Sequence, residues 1–169
     1  MSSRRPLSFD PIAEAVENWR NAGWDAAAPG MALVTSVMRT HQILLAGVDA
    51  TLAPLGLTFA RFEVLMLLDF SRSGRLPMGK IGQRLQVHPA SVTNAIDRLE
   101  RDGLVARRPH PTDGRTTLAA ITKDGRRLAR RAARALNSGV FDDVGIDGAQ
   151  VDQVVAALAQ LRHNAGDFE

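Results

Sequence analysis

Two short amphipathic segments set three residues apart, with a pair of strand-like runs directly behind them, constrain this chain more than any other feature. In the first segment Met78, Ile81 and Leu85 fall on one face. In the second Val92, Ile96 and Leu99 follow at i, i+4 and i+7, so each segment reads as a helix that buries one stripe. Gln86-Val87-His88 between them leaves room only for a tight corner, and Pro89 suits the first position of a new helix, where its missing N–H costs nothing. That helix is expected to stop at Gly103, which accepts the left-handed conformation, with apolar Leu104 placed to pack back on the last turn. Leu104 to Arg108 and Arg115 to Ile121 then carry strand formers, Thr116, Thr117 and Ile121 among them, on either side of the turn signal Pro111-Thr112-Asp113-Gly114. Helix, corner, helix and hairpin in that order describe a mainly helical fold built on a winged helix-turn-helix over residues 57–121.

The stripe of the second helix leaves Ser91, Thr93, Asn94 and Arg98 on the opposite face. Ser and Thr can donate to phosphates or bases, Asn pairs bidentately with adenine, and Arg does so with guanine. A plain solvated surface would show the same polar residues. The distribution of charge separates the two readings. Residues 98–134 hold ten Arg and one Lys against Glu100, Asp102, Asp113 and Asp124, a net +7, whereas residues 135–169 hold Arg162 against six acids, a net −5. A basic block centred on the hairpin is what neutralising phosphates requires.

The run Ser91-Val92-Thr93-Asn94-Ala95-Ile96-Asp97-Arg98-Leu99-Glu100, then Gly103-Leu104-Val105 and the wing Asp113-Gly114-Arg115, resembles the MarR-type winged-helix transcription factors, and the likeness extends over roughly residues 30–165. The resemblance implies that the second helix enters the major groove of double-stranded DNA, that Arg115 reaches the adjacent minor groove, and that Asp113 orients the wing tip. The DNA-contacting set expected on this reading is His88, Pro89, Ser91, Thr93, Asn94, Arg98, Arg108, Asp113 and Arg115. Asp113-Gly114 is equally an ordinary type I′-like turn, whose chemistry must be satisfied either way.

A single helix-turn-helix reads too few bases, so a homodimer on a pseudo-palindromic operator is expected. From Met31 the apolar positions run Met31, Val34, Met38, Leu45, Val48 and Leu52 in three- and four-residue steps, with His41 in the remaining seam position, which predicts a long packed helix of ~35 Å. Asp147 and Gln150 form a capping pair for a helix carrying Val151, Val154, Val155, Leu158 and Leu161, and Thr122 caps another over 123–137. The dimerisation region is accordingly assigned to residues 29–56 and 122–165, the alternative being packing within one chain. In MarR-type proteins the N- and C-terminal helices build the dimer.

Before Pro29, Asp10 can cap and Pro11 can open a helix in which Ile12, Val16 and Trp19 follow at i, i+4 and i+7, so residues 10–24 read as an added helix behind a disordered lead of residues 1–9. This is similar to the urate-responsive subgroup of MarR-type repressors, in which such a helix carries a Trp that helps line an effector pocket. By that resemblance Trp19, Glu63 and Arg107 line the pocket, and Met38 and His41 complete the candidate effector set. Trp19 reads equally as an anchor packing this helix on the domain, and His41 as an interface residue. Where the subgroup has a further Arg, this chain has Phe70. Losing a guanidinium removes a charge-assisted contact to an anion, so a less anionic or more apolar relative of urate, or an aromatic acid, becomes the expected effector.

At 169 residues, 45% hydrophobic and 23% charged, the composition is that of a globular protein that can bury a sizeable core. No apolar run approaches the ~20 residues that span a bilayer, and Met1-Ser2-Ser3-Arg4-Arg5-Pro6 is not followed by an export-type apolar stretch, so a cytoplasmic protein is expected. Zero cysteines excludes disulfides and thiol switches. His41, His88, His110 and His163 lack metal-ligand neighbours at i+3 or i+4, and neither a phosphate-binding glycine loop nor a nucleophile elbow is present, so no cofactor, metal or enzymatic activity is expected. The expectation from sequence is a homodimeric repressor released from its operator by a small molecule. The alternative is a winged-helix protein-interaction module without specific DNA binding.

Overall fold

The computed structural model describes residues 6–113 and 115–169. The first five residues of the expected lead, and Gly114 of the expected wing turn, lie outside the described residues. Helix α1 spans Pro11–Asn21: the Asp10 carboxylate accepts from the Ile12 N–H at 2.9 Å, and Pro11 opens the first turn. Helix α2, Ala28–Leu52, runs on through a 3-10 turn to Gly56, where φ is 68°. Helix α3, Phe59–Phe70, starts at the Thr58 cap. A short strand β1, Arg75–Pro77, leads into α4, Met78–Leu85, and α5, Pro89–Arg101. The wing is β2, Val105–Pro109, and β3, Thr117–Ile121. Helix α6, Lys123–Leu136, is capped by Thr122 and passes through a π-helical turn, and α7 covers Gly148–Asn164. Asp147 and Gln150 close their capping box in both directions, Gln150 N–H to Asp147 at 2.9 Å and Asp147 N–H to Gln150 at 3.2 Å.

The core sits under the helix-turn-helix. Leu65 and Leu68 of α3 meet Ile81 of α4, Ile96 and Leu99 of α5 and Leu136 of α6, all fully buried. The predicted stripes of α4 and α5 are therefore what hold the motif on α3. β1 was not expected; it pairs antiparallel with β3, giving the sheet order β1-β3-β2 with Arg75 opposite Ala120 and Arg108 opposite Leu118. Gly125, in the first turn of α6, lies so close to the Leu104 carbonyl that a Cβ there would sit 2.0 Å from its oxygen.

The expected seam of α2 divides. Val48 and Leu52 are buried in the chain's own core and Met31 and Leu45 are half-buried, whereas Val34 and Met38 are exposed together with Leu33, Val37, Ile43 and Leu44. An ideal α-helix drifts ~20° per heptad against a 3.5-residue repeat, so a straight helix of 25 residues cannot keep one such row on one side. Over an 18-residue window α2 reaches a mean hydropathy of 1.2, and by length and composition it could cross a membrane, which a search for unbroken apolar runs misses. Helix α7 buries none of its residues, and Val154, Val155, Leu158 and Leu161 are open to solvent.

Candidate nucleic-acid interface

Helix α5 is presented by its corner. Gln86 closes α4 in the left-handed region, φ 52°, as the one non-glycine of the described residues at positive φ, and turns the chain so that His88 can cap α5. His88 Nδ1 accepts from the Ala90 N–H at 3.2 Å, and Pro89 follows as the first helical residue. With Val92, Ala95, Ile96 and Leu99 buried, Ser91, Thr93, Asn94 and Arg98 stand exposed together. The Thr93 hydroxyl donates back to the Pro89 carbonyl at 3.1 Å and is left as an acceptor. Gly103, at φ 70°, ends the helix, and the Leu104 N–H returns to the Leu99 carbonyl at 2.8 Å.

At the wing, Asp113 bonds the residues that follow the turn. Its carboxylate accepts from the Thr116 hydroxyl at 2.6 Å and the Arg115 N–H at 3.0 Å, and these bonds hold it below the usual carboxylate range. Arg115 is exposed and lines a cleft of about 580 Å³ with Lys80 of α4, Thr93 of α5 and Arg107 of β2. Arg108 is exposed on β2. The nine residues expected to contact DNA thus lie on three neighbouring pieces of chain, namely the start and outer face of α5, β2 and the wing tip.

The candidate effector residues are spread more widely. Arg107 straps β2 to α5: its backbone N–H and Nη1 donate to Glu100 at 2.9 and 2.6 Å, and Nη2 bonds Asp97. The N–H groups of Arg107 hold the Glu100 carboxyl below its ordinary value, and Asp97 and Glu100 in turn keep Arg107 charged. Glu63, half-buried on α3, has its carboxyl pushed up by burial and has no hydrogen-bond partner among the described residues. Trp19 stacks edge-on against Trp24 at 5.3 Å, and Phe70 ends α3 78% exposed. His41 is exposed on α2, and Met38 lines a hollow of about 400 Å³ between α1 and α2 with Ile12, Thr35 and Arg39. Neither a hydrogen bond nor an ion pair of the described residues joins Trp19, Glu63 and Arg107.

The basic block is not a single surface. Arg126 and Arg130 of α6 clasp Asp69 of α3, whose side chain is 4% exposed, and Arg127 pairs with Asp124, so these cations serve the fold. Arg98, Arg108 and Arg115 enter no ion pair among the described residues, nor do Arg75 and Lys80, which sequence reasoning passed over. They precede the block by about twenty residues in sequence; the pairing of β1 with β3 brings Arg75 to the wing, and α4, which follows β1 directly, brings Lys80 into the cleft of Arg115.

Residues 57–117 match the family model for the MarR family. The structure superposes on Sco5413, a MarR family transcriptional regulator from Streptomyces coelicolor, with a TM-score of 0.76 and 54% identity, covering 83% of this chain and 98% of that one. The repressor Rv2887 of Mycobacterium tuberculosis is 36% identical over 94 residues, 56% of this chain and 66% of its own length. The chain thus aligns to just under two thirds of that curated relative. CouR of Rhodococcus jostii RHA1, solved with p-coumaroyl-CoA, superposes with a TM-score of 0.66 at 27% identity over 76% of this chain and 90% of its own, and CouR has also been solved on a 23-mer DNA duplex. The near-complete coverage of Sco5413 at this identity, on a helix-turn-helix and wing of the same build, places the chain in the MarR family.

Proposed function

We propose that this chain is a homodimeric transcriptional repressor that acts on double-stranded DNA in the cytoplasm and is released from a pseudo-palindromic operator by a small molecule. The observation that carries the reading is the exposed row of Ser91, Asn94 and Arg98 on α5, whose side chains make no hydrogen bond among the described residues, beside an Arg115 that enters no ion pair among them and whose N–H is held by Asp113. Donors of that kind on a helix flanked by a wing cation suit base edges in the major groove and the narrow minor groove next to it. The apolar rows of α2 and α7, exposed in one chain, suit burial against a second copy. That occupant accounts for the length and hydropathy of α2 without a membrane.

The effector step rests on Arg107. An anionic group that drew Arg107 from Asp97 and Glu100 would loosen the strap between wing and recognition helix. A 10- to 100-fold fall in DNA affinity asks for about 1.4–2.8 kcal/mol of coupling, within what one multiply bonded guanidinium supplies. Trp19 and Glu63 join the same proposed effector set on their resemblance in sequence to the urate-responsive pattern, and Phe70 in place of an Arg favours a less anionic aromatic ligand over urate itself. CouR, which binds an aromatic thioester and DNA, is a relative with both activities.

The test is retention of genomic fragments by the purified protein across a salt series. Titration of urate, purines and aromatic acids then follows Trp fluorescence and operator release in the parent and in Trp19→Phe, Glu63→Gln and Arg107→Ala. Absence of specific retention at low salt would sink the repressor reading in favour of a protein-interaction module. An effector indifferent to all three changes removes the pocket assignment.

A further inference from the structure

The wing sheet has two faces. On one, Val105 and Ala119 are buried against the helices; on the other, by register, Arg75 lies opposite Ala120 and Ala106, and Pro77 and Arg108 flank Leu118. This second face opens into a hollow of about 280 Å³ floored by Pro77 and Leu118 and rimmed by Ser73, Arg75, Lys80 and His110. Lys80 and Pro77 also line the neighbouring cleft that contains Arg115, so Lys80 stands between the wing-tip arginine and Arg75. Among the described residues no carboxylate lines either hollow, and both Arg75 and Lys80 are exposed and without an ion pair. The contrast with α6 is direct, because there Arg126 and Arg130 both pair with the Asp69 carboxylate inside the chain. His110 accepts from the Thr112 N–H at Nδ1, 3.4 Å, which leaves Nε2 as its donor. The Ser73 hydroxyl, bonded at 3.2 Å to the Arg75 carbonyl, braces the strand that carries Arg75.

A row of cations running from wing tip to sheet edge, Arg115, Lys80 and Arg75, none of them in an ion pair among the described residues and with the Asp113 carboxylate answering His110 only at the tip, calls for a polyanion whose charges are spaced along a line. We propose that Arg75 and Lys80, supported by the His110 donor, form a phosphate-contact shelf that extends the DNA footprint beyond the wing onto the sugar-phosphate backbone flanking the operator. This rests on the DNA-binding reading above and adds residues to it. Because the shelf meets phosphates and not base edges, it raises affinity for every sequence equally and contributes to the salt dependence without changing specificity.

The experiment measures log Kd against log salt for the parent, Arg75→Ala, Lys80→Ala and the double variant, on an operator duplex with long flanks, on the same operator trimmed of its flanks, and on random DNA. Each substitution is expected to lower the steepness of the salt dependence by about one and to weaken long-flank operator and random DNA alike by about 3- to 10-fold, with the parent and variants converging on the trimmed duplex. Arg75→Lys and Lys80→Arg should restore the parent slope, which a merely structural role would not require. Circular dichroism melting of each variant should match the parent, since both side chains are exposed. A double variant with the parent's slope and affinity, while Arg115→Ala weakens binding in parallel, overturns the shelf and leaves the DNA-binding reading standing. A parent that binds no DNA overturns both. Saturable shifts of the His110 ring signals with inorganic phosphate, combined with an unchanged DNA salt slope in the variants, would mean a free-anion site and also overturn the proposal.

Discussion

Replacing Gly125 by Ala tests the packing of the wing base, because local propensity and tertiary structure predict opposite signs for it. On propensity alone, Gly to Ala in a helix stabilises by up to ~1 kcal/mol. Here the added Cβ would lie 2.0 Å from the Leu104 oxygen and 3.0 Å from both its carbonyl carbon and Ile121 Cγ1. An ordinary C···O approach is ~3.3 Å, so Leu104 or the first turn of α6 must move by about 1 Å. Leu104 cannot yield freely: its carbonyl accepts from the Thr122 N–H at 3.0 Å and the Thr122 hydroxyl at 3.1 Å, and that hydroxyl also accepts from the Gly125 N–H at 3.0 Å. Overpacking of this kind costs about 1–3 kcal/mol, and loss of the Thr122 cap adds ~1 kcal/mol. After the propensity gain is set against it, Gly125→Ala should be destabilised by roughly 1–3 kcal/mol, a fall in Tm of about 2–12 °C for a chain of this size. Calorimetry at fixed protomer concentration measures it, since the proposed dimer would make Tm concentration-dependent. A Tm equal to or above the parent's would refute the close approach of α6 to Leu104.

Arg115→Ala should fold normally and lose about 1–3 kcal/mol of operator affinity, read by fluorescence anisotropy; unchanged affinity removes the wing contact. Leu158→Glu places a charge on the open face of α7 and should give folded monomer in sedimentation, whereas Val48→Glu, at a site only 6% exposed, should fail to fold at all. A folded Leu158→Glu dimer at micromolar concentration would put the interface elsewhere. Burial raises the Glu63 carboxyl, so the folded state favours its protonated form; that advantage is complete below the ordinary carboxylate pKa and is lost as pH rises through the raised folded value. Glu63→Gln should therefore raise Tm slightly at neutral pH and flatten its dependence on pH just above the carboxylate range. An unchanged profile would mean that the carboxylate is fully solvated.

Elements whose determinants lie within a few residues of one another were legible from the chain. The stripe Val92, Ile96 and Leu99, Pro89 at the first position, Gly103 at the end, and the Asp147–Gln150 box all act over three to seven residues, so periodicity and cap chemistry suffice to place α4, α5 and α7. The polar face of α5 followed, because burying one stripe of a helix exposes the other. What depended on long-range packing was not legible. Three residues, Arg75 to Pro77, carry too little pattern to announce a strand, and β1 exists because β3, more than forty residues later, offers it a free edge. The partners of Arg107 were not legible either: the crossing of β2 over α5 places Asp97 and Glu100 within its reach, and a guanidinium with two carboxylates beside it binds them. Cations near one another in sequence took different partners for the same reason: Arg126 faces the buried Asp69, and Arg115 faces open solvent. Residue types along the chain decided which helices form and which faces are polar; which charges remain free for DNA was decided by the tertiary packing, because an ion pair depends on distance in space and not along the chain.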